Sequence, residues 1–345
     1  RRVALIEKNP MLGKKLRITG KGRCNVTNAC EVEDMLRHVP ANARFLYSAF
    51  YSFTNDDLIA LLREYGVETK VERGGRVFPV SDKAKDVVEG LKRFALQSQN
   101  VRVMKKEVKE LILRDGAVRG VRFGDGSTLA CRSVVVATGG LSYPLTGSTG
   151  DGYKFARQAG HSIVPCRPSL VPLVTRQRWV SELMGLGLKN IALTVTDEQN
   201  KHVYEDFGEL LFTHFGVSGP VVLSASAHMR DMERKQYRLH IDLKPALSAQ
   251  QLDERIRRDF TQNTNKHLIN ALDALLPKAL IPVILRLAEL DEHKVVNKIS
   301  KEERLRLGET LKDVRLDVAG FRPIEEAIIT SGGVNVKEIN PSTME

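Results

Sequence analysis

The chain has 345 residues, 42% hydrophobic and 28% charged, with a net charge of +11. That length exceeds what one simple core organises, so two or three domains are expected of an ordinary soluble globular chain. No apolar run approaches the ~20 residues of a bilayer span, and four cysteines are too few for a disulfide framework, which excludes membrane-helix and disulfide-scaffold classes and points to a reducing, cytoplasmic setting.

The opening RRVALIEKNP has too short an apolar stretch for a secretion signal. Its VALIE reads as a short buried strand ending in an acid, Glu7. Residues 13–28 are loop-like, rich in glycine and turn formers. Within them GKGRCNVTNAC leaves three chemistries open: glycines that let a backbone approach a phosphate, a cysteine redox pair, and an Asn25-Val26-Thr27 sequon. The sequon requires secretion, which the cysteine usage disfavours. A helix is expected after the Thr54 cap, ending at Gly66. Another follows Ser81, with Val87, Val88, Leu91 and Phe94 at helical spacing.

The period then changes. VRVMKKEVKELIL, AVRGVRFG and STLACRSVVVA read as strands, with turns at Asp115-Gly116 and Asp125-Gly126. The last runs into Ala137-Thr138-Gly139-Gly140, and TGSTGDG leads into a helix, YKFARQAG. Residues 169–245 read as mostly β, through LVPLV, IALTVTD, PVVLSAS and YRLHIDL. Residues 248–312 read as mostly helical, opened by capping boxes at Ser248–Gln251 and Ser300–Glu303. Strand character returns from Val314, with Ser331–Val334 as a loop. An α/β part, a β part, a helical part and a return is how an α/β domain with insertions reads.

Glu7 alone is weak, since a strand-terminal acid is usually solvated. In dinucleotide-binding units an acid at this place bonds the adenosine ribose. The G-x-G-x-x-G that normally precedes it is absent, because the chain begins at what would be the second strand. Five ordered stretches add to it: EKNPMLGKKLRITGKGRCNVTN (7–28), VVVATGGLSYPLTGSTGDGYKFARQAGH (134–161), RPSLVPL (167–173), GELLFTHFGVSGP (208–220) and TSGGVNVKEINPSTME (330–345). Together they strongly resemble the BaiN-like (YhiN-like) family of NAD(P)/FAD-dependent oxidoreductases, along the whole chain.

The resemblance implies an α/β, Rossmann-like FAD domain of the two-dinucleotide-binding-domain type, with an inserted β-barrel domain and an inserted helical domain. The boundaries expected are 1–168 for the first part of the FAD domain, 169–247 for the barrel, 248–313 for the helical domain and 314–345 for the return. It implies FAD as cofactor and NADH or NADPH as electron donor. Glu7 matches the ribose-binding acid, with Lys8 beside it. Gly22, Arg23, Cys24 and Asn25 match a stretch along the FAD, where glycine permits close approach, arginine suits a pyrophosphate and asparagine offers donor and acceptor. Val108 matches a position that meets the adenine edge through its backbone. Ala137, Thr138, Gly139 and Gly140 match the turn passing the cofactor. Thr146 and Gly147 open a loop leading to a helix N-terminus, and Gly332, Gly333 and Val334 match the loop nearing the flavin ring.

Three departures stand out. The family's N-terminal strand with its glycine-rich turn is missing, and so is its C-terminal flavin-closing segment. The expected explanation is that these residues are the retained part of a longer chain lacking both ends; if both ends are truly missing, FAD binding is expected to be weak or lost. Lys21 stands where the family often has glycine. Cys24 and Cys30 are separated by five residues, one more than in the glutathione-reductase-like redox pair, so a disulfide reductase using Cys24 is the lesser alternative; Cys131 and Cys166 read as ordinary buried thiols. His214 and Tyr143 are candidate proton donors, against structural roles in a barrel turn and in cofactor packing. No metal motif is present. The expected partner is a small-molecule substrate. The rival is an RNA-associated flavoprotein acting in RNA modification, motivated by the net charge and favoured if a continuous basic face crosses residues 249–312.

Overall fold

A computed structural model describes residues 2–345 of the chain. The chain forms two compact units: one comprises residues up to Arg167 together with Thr330–Glu345, the other Pro168–Ile329.

In the first unit, Val3–Ile6 pairs in parallel with Val101–Met104, in the register Val3↔Val101 to Ile6↔Met104. Glu7 therefore leaves the carboxyl end of a parallel pair, the end at which α/β sheets collect ligands. Two three-stranded antiparallel sheets flank this pair in sequence. One orders Thr27–Asn28, Arg76–Pro79 and Thr69–Glu72, the other Val108–Arg114, Ala117–Phe123 and Thr128–Ala130. The Asp115-Gly116 turn has both residues at positive φ, as a two-residue hairpin requires. Thr54 caps the Asn55–Glu64 helix in a reciprocal box with Asp57. The next helix begins at Ala84, beyond Ser81, because Asp82 is left-handed and Lys83 extended.

Two local expectations fail here. The strand expected through VVVA is absent: pairing stops at Ala130, and residues 131–140 take no regular structure, leaving Val135 90% exposed. A β-rich run becomes a strand only with a partner edge. Conversely Ser331–Val334 is not a loop but part of the strand Ile329–Val334, which pairs with Ile163–Ser169.

The second unit is built on a closed six-stranded antiparallel barrel. Its order is Leu173–Thr175, Gly216–Ser218, His202–Phe212, Gly187–Asp197, Tyr237–Asp242 and Val314–Phe321, which returns to the first. The barrel uses Val314–Phe321, so the division between units falls at Thr330 rather than at 314. One apolar cluster contains barrel residues such as Leu193, Leu239 and Ile241 and helical residues such as Leu252, Ile256 and Leu307, so barrel and helices share a core. Both expected capping boxes, at Ser248 and Ser300, are present.

PVVLSAS is a helix, Pro220–Ser226, and not a strand. Gly219 at φ +101° turns the chain, Pro occupies the first helical position, and Val221, Val222, Ala225 and Ser226 bury a helix-spaced face. Among the described residues no helix is long and apolar enough to cross a membrane.

Candidate functional site

The loops of the first unit that follow the parallel pair are stitched together by polar side chains. Glu7 Oε1 accepts from the backbone N–H of Asn9 at 2.8 Å and from Asn9 Nδ2 at 2.9 Å. The same Nδ2 donates to the Thr146 carbonyl at 3.0 Å. Asn9 thus fixes the acid and ties it to the 146–147 turn. Gly147 is required there: it stands at φ +99°, and a Cβ would lie 2.5 Å from Asn9 Nδ2. Lys8 reaches the start of the Asp151–Gln158 helix, donating to Thr149 Oγ1 and Asp151 Oδ2. Burial pushes the Asp151 carboxyl up, but the Lys8 ammonium and the Thr149 hydroxyl outweigh it and leave a net lowering.

A second stitch joins segments far apart in sequence. The Thr330 hydroxyl accepts from the N–H of Leu141 at 2.9 Å and of Ser142 at 3.2 Å, and lies 3.0 Å from Ser142 Oγ. It clamps the glycine turn to the strand bearing Gly332 and Gly333. A Cβ at Gly140 would lie 2.5 Å from Thr330 Oγ1, and one at Gly333 would lie 2.9 Å from the Tyr153 ring. Those two glycines therefore serve internal packing. The N–H groups of Thr138, Gly139 and Gly140 make no hydrogen bond within the described residues.

Against this clamp lies Lys15. Its Nζ is 3.5 Å from the Ser142 carbonyl and 5.6 Å from the centre of the Tyr143 ring. Burial lowers its pKa. Tyr143 stands at φ +52°, a left-handed conformation a bulky aromatic rarely takes.

The expected site residues divide accordingly. Glu7, Lys8, Thr146 and Gly147 come together, and Gly140 joins Tyr143, Lys15 and Thr330. Ala137, Thr138 and Gly139 lie on the exposed unpaired run leading into that turn. Gly332 and Val334 share the strand of Gly333. Val108 opens its hairpin opposite Phe123.

Arg23 is committed elsewhere: it pairs with Glu72 and Asp82, and its guanidinium carbon lies 4.1 Å from the centre of the Phe78 ring. These partners occupy the group a pyrophosphate would need, so Arg23 serves to hold the 20–24 turn. That turn has Gly20, Lys21, Gly22 and Cys24 all at positive φ, and a Cβ on Gly22 would meet nothing nearer than 4.0 Å. Asn25 is exposed beside it. Cys24 is 1% exposed, packs with Leu62, Val67, Ala84 and Val87, and burial pushes its thiol pKa up. A redox thiol needs the opposite shift, and all four cysteines are free.

His214 belongs to the second unit. Its turn is closed by Thr213, whose hydroxyl accepts from the N–H of Gly216 and donates to its carbonyl. The imidazole is exposed, edge-on to Phe215, whose other contact is the Arg322 guanidinium at 4.5 Å. Among the described residues no group of three or more His, Cys, Asp or Glu could hold a metal.

Asn9, Lys15, Ser142 and Thr330 were not singled out from the sequence. Each sits inside a quoted motif, Asn9 and Lys15 in 7–28, Ser142 in 134–161 and Thr330 at the head of 330–345; what the sequence does not carry is the pairing of Thr330 with Ser142, 188 residues away.

With that geometry in view, comparison with known proteins is decisive at one level. Residues 1–345 match the family described as HI0933-like protein Rossmann domain. The chain belongs to this family. A ribosomal RNA dihydrouridine synthase of Haemophilus influenzae is 31% identical to it, over 99% of this chain and 82% of that protein. The namesake of Escherichia coli is 31% identical over 100% and 82%. A 3-dehydro-bile acid delta(4,6)-reductase of Clostridium scindens is 28% identical over 99% and 83%. The family expected from the five motifs is the one found, and its Rossmann-type domain fits the parallel pair ending at Glu7.

Proposed function

We propose that this protein is an FAD-dependent reductase that draws electrons from NADH or NADPH and saturates a conjugated carbon–carbon double bond. The observation that carries the reading is Glu7: an acid at the carboxyl end of a parallel strand pair, its Oε1 fixed by Asn9 and the loop 146–151 drawn beside it. The donor set suits an anionic dinucleotide. The free N–H groups of Thr138–Gly140, the open side of Gly22 and a lysine without an acidic partner all await an acceptor.

Glu7 would take the ribose hydroxyls, and the turns at 20–24 and 138–147 would face the diphosphate and ribityl chain. Bound FAD supplies a two-electron carrier that accepts hydride from a nicotinamide and passes it to a substrate. The protein's part is to hold it against substrate, exclude water and deliver one proton. Tyr143, exposed within the same unit, presents a group able to do the last.

For the substrate, a uridine of ribosomal RNA is the better reading. Two of the three relatives carry that activity in their names. The charge supports it through its distribution. The cofactor unit has 30 Lys and Arg against 19 Asp and Glu, the other unit 23 against 23. Residues 249–312 hold 12 against 10, so the helical part carries little basic excess and lends the RNA reading no support; the attraction would belong to the cofactor unit.

The deciving test of the core reading is the visible spectrum of the full-length protein, followed by anaerobic titration with NADH and NADPH. Flavin bands bleached by one nucleotide are expected; a colourless protein that FAD cannot reconstitute overturns the reading.

A further inference from the structure

Lys15 is a half-buried cation with no acidic partner among the described residues. Around it Lys8 pairs with Asp151, Arg17 with Glu89, and Arg23 with Glu72 and Asp82, whereas Lys15 faces the clamped turn. Its own protein contacts are weak ones, a carbonyl at 3.5 Å and a ring face at 5.6 Å. Both belong to the turn that Thr330 clamps and that places Tyr143 in strained left-handed backbone. Burying an ammonium without a carboxylate is costly, and backbone strain held by a clamp marks places where a ligand supplies the compensation. The burial-lowered pKa agrees with a charge awaiting its partner.

The geometry points to Lys15 as an anion ligand of the dinucleotide site: its ammonium, steadied by Ser142 and Tyr143, receives a negatively charged group of bound FAD. This rests on the FAD reading above. The shared chemistry is an oxyanion or a delocalised anion, which FAD offers in two places, its diphosphate and its reduced ring. Nothing is transferred to or from Lys15, which acts through charge alone.

The test compares wild type, Lys15→Met and Lys15→Arg in the full-length protein, with circular dichroism to confirm folding. FAD affinity of the apoprotein is read by quenching of flavin fluorescence, and the two-electron midpoint potential by dye equilibration. If Lys15 meets the diphosphate, Lys15→Met weakens FAD at least tenfold and leaves the potential in place. If it meets the reduced ring, affinity stays within threefold while the equilibrium shifts tenfold toward the oxidised form, about 30 mV. In either case Lys15→Arg recovers most of the loss. Wild-type binding with Lys15→Met unchanged in both readouts overturns the proposal and leaves the FAD reading standing. A folded wild type that binds no FAD overturns both. Should Lys15→Met fail to fold, Lys15→Gln is measured in its place, under the same criteria.

Discussion

The unit Pro168–Ile329 buries one apolar cluster extending from Leu173 to Val318 and is charge-balanced. The other unit has two small clusters, one around Cys24, Leu62 and Val87, one around Leu111, Val121 and Phe155, and holds the whole +11 excess. Its sheets have two or three strands where its neighbour has a closed barrel. The barrel unit closes its sheet on itself and balances its charge in number. The cofactor unit leaves N–H groups, an apolar run and a lysine without partners, and links its loops through single side chains such as Asn9 and Thr330.

The largest effect that would sharpen this contrast is the salt response of RNA binding. If six or more phosphates are met, affinity for ribosomal RNA fragments falls about a thousandfold between 50 and 200 mM salt. Lys21→Gln with Lys105→Gln, both exposed in the cofactor unit, should flatten the slope, and Arg257→Gln with Lys298→Gln, both exposed in the barrel-containing unit, should not. A flat response in wild type would remove the RNA reading. Next, Leu239→Ala in the barrel, where Leu239 is fully buried, is expected to cost about 3 kcal/mol in urea unfolding. A loss below about 1 kcal/mol would mean the barrel core is less rigid than its packing indicates.

FAD at a hundredfold excess over its dissociation constant should stabilise the cofactor unit by about 2.7 kcal/mol. Hydrogen exchange should then slow in residues 3–28 and 134–151 and stay unaltered in the barrel strands. Equal protection of both units would erase the comparison. Smallest is Tyr143→Gly, which relieves left-handed strain of about 1 kcal/mol. The melting temperature is expected to rise while reductase turnover falls, since the ring beside Lys15 is lost. A lower melting temperature would show that the ring's packing outweighs its strain.

Much of this was legible before the fold was known, where the physics is local. The reciprocal caps at Thr54, Ser248 and Ser300 follow from hydroxyl and acid or amide at fixed spacing. The Asp115-Gly116 hairpin follows from two residues that accept positive φ. What required a distant partner was not legible. VVVA reads as a strand but has no edge to join, and PVVLSAS reads as one until Gly219-Pro220 is recognised as a helix start. In the site, Glu7 could be named through the family resemblance, its position after a strand being weak by itself. Arg23 was misjudged because Glu72 and Asp82 approach from another sheet and loop. Gly140 and Gly333 matched family turns, and the sequence could not show that each is also room for a neighbouring side chain.

The Thr330 hydroxyl has a bearing on biosynthesis. It supplies the clamp on Leu141 and Ser142, and its strand, Ile329–Val334, is the partner of Ile163–Ser169 among the described residues. Between Arg167 and Thr330 the ribosome must produce the entire second unit, which at ordinary elongation rates takes on the order of ten seconds. The cofactor unit can be completed only after it. During that interval its cation-rich loops and the exposed Val135 run emerge beside the ribosome unclamped, and the barrel unit can finish folding before them. Fusions or truncations that end before Thr330 should therefore release a folded barrel attached to an open, aggregation-prone cofactor half.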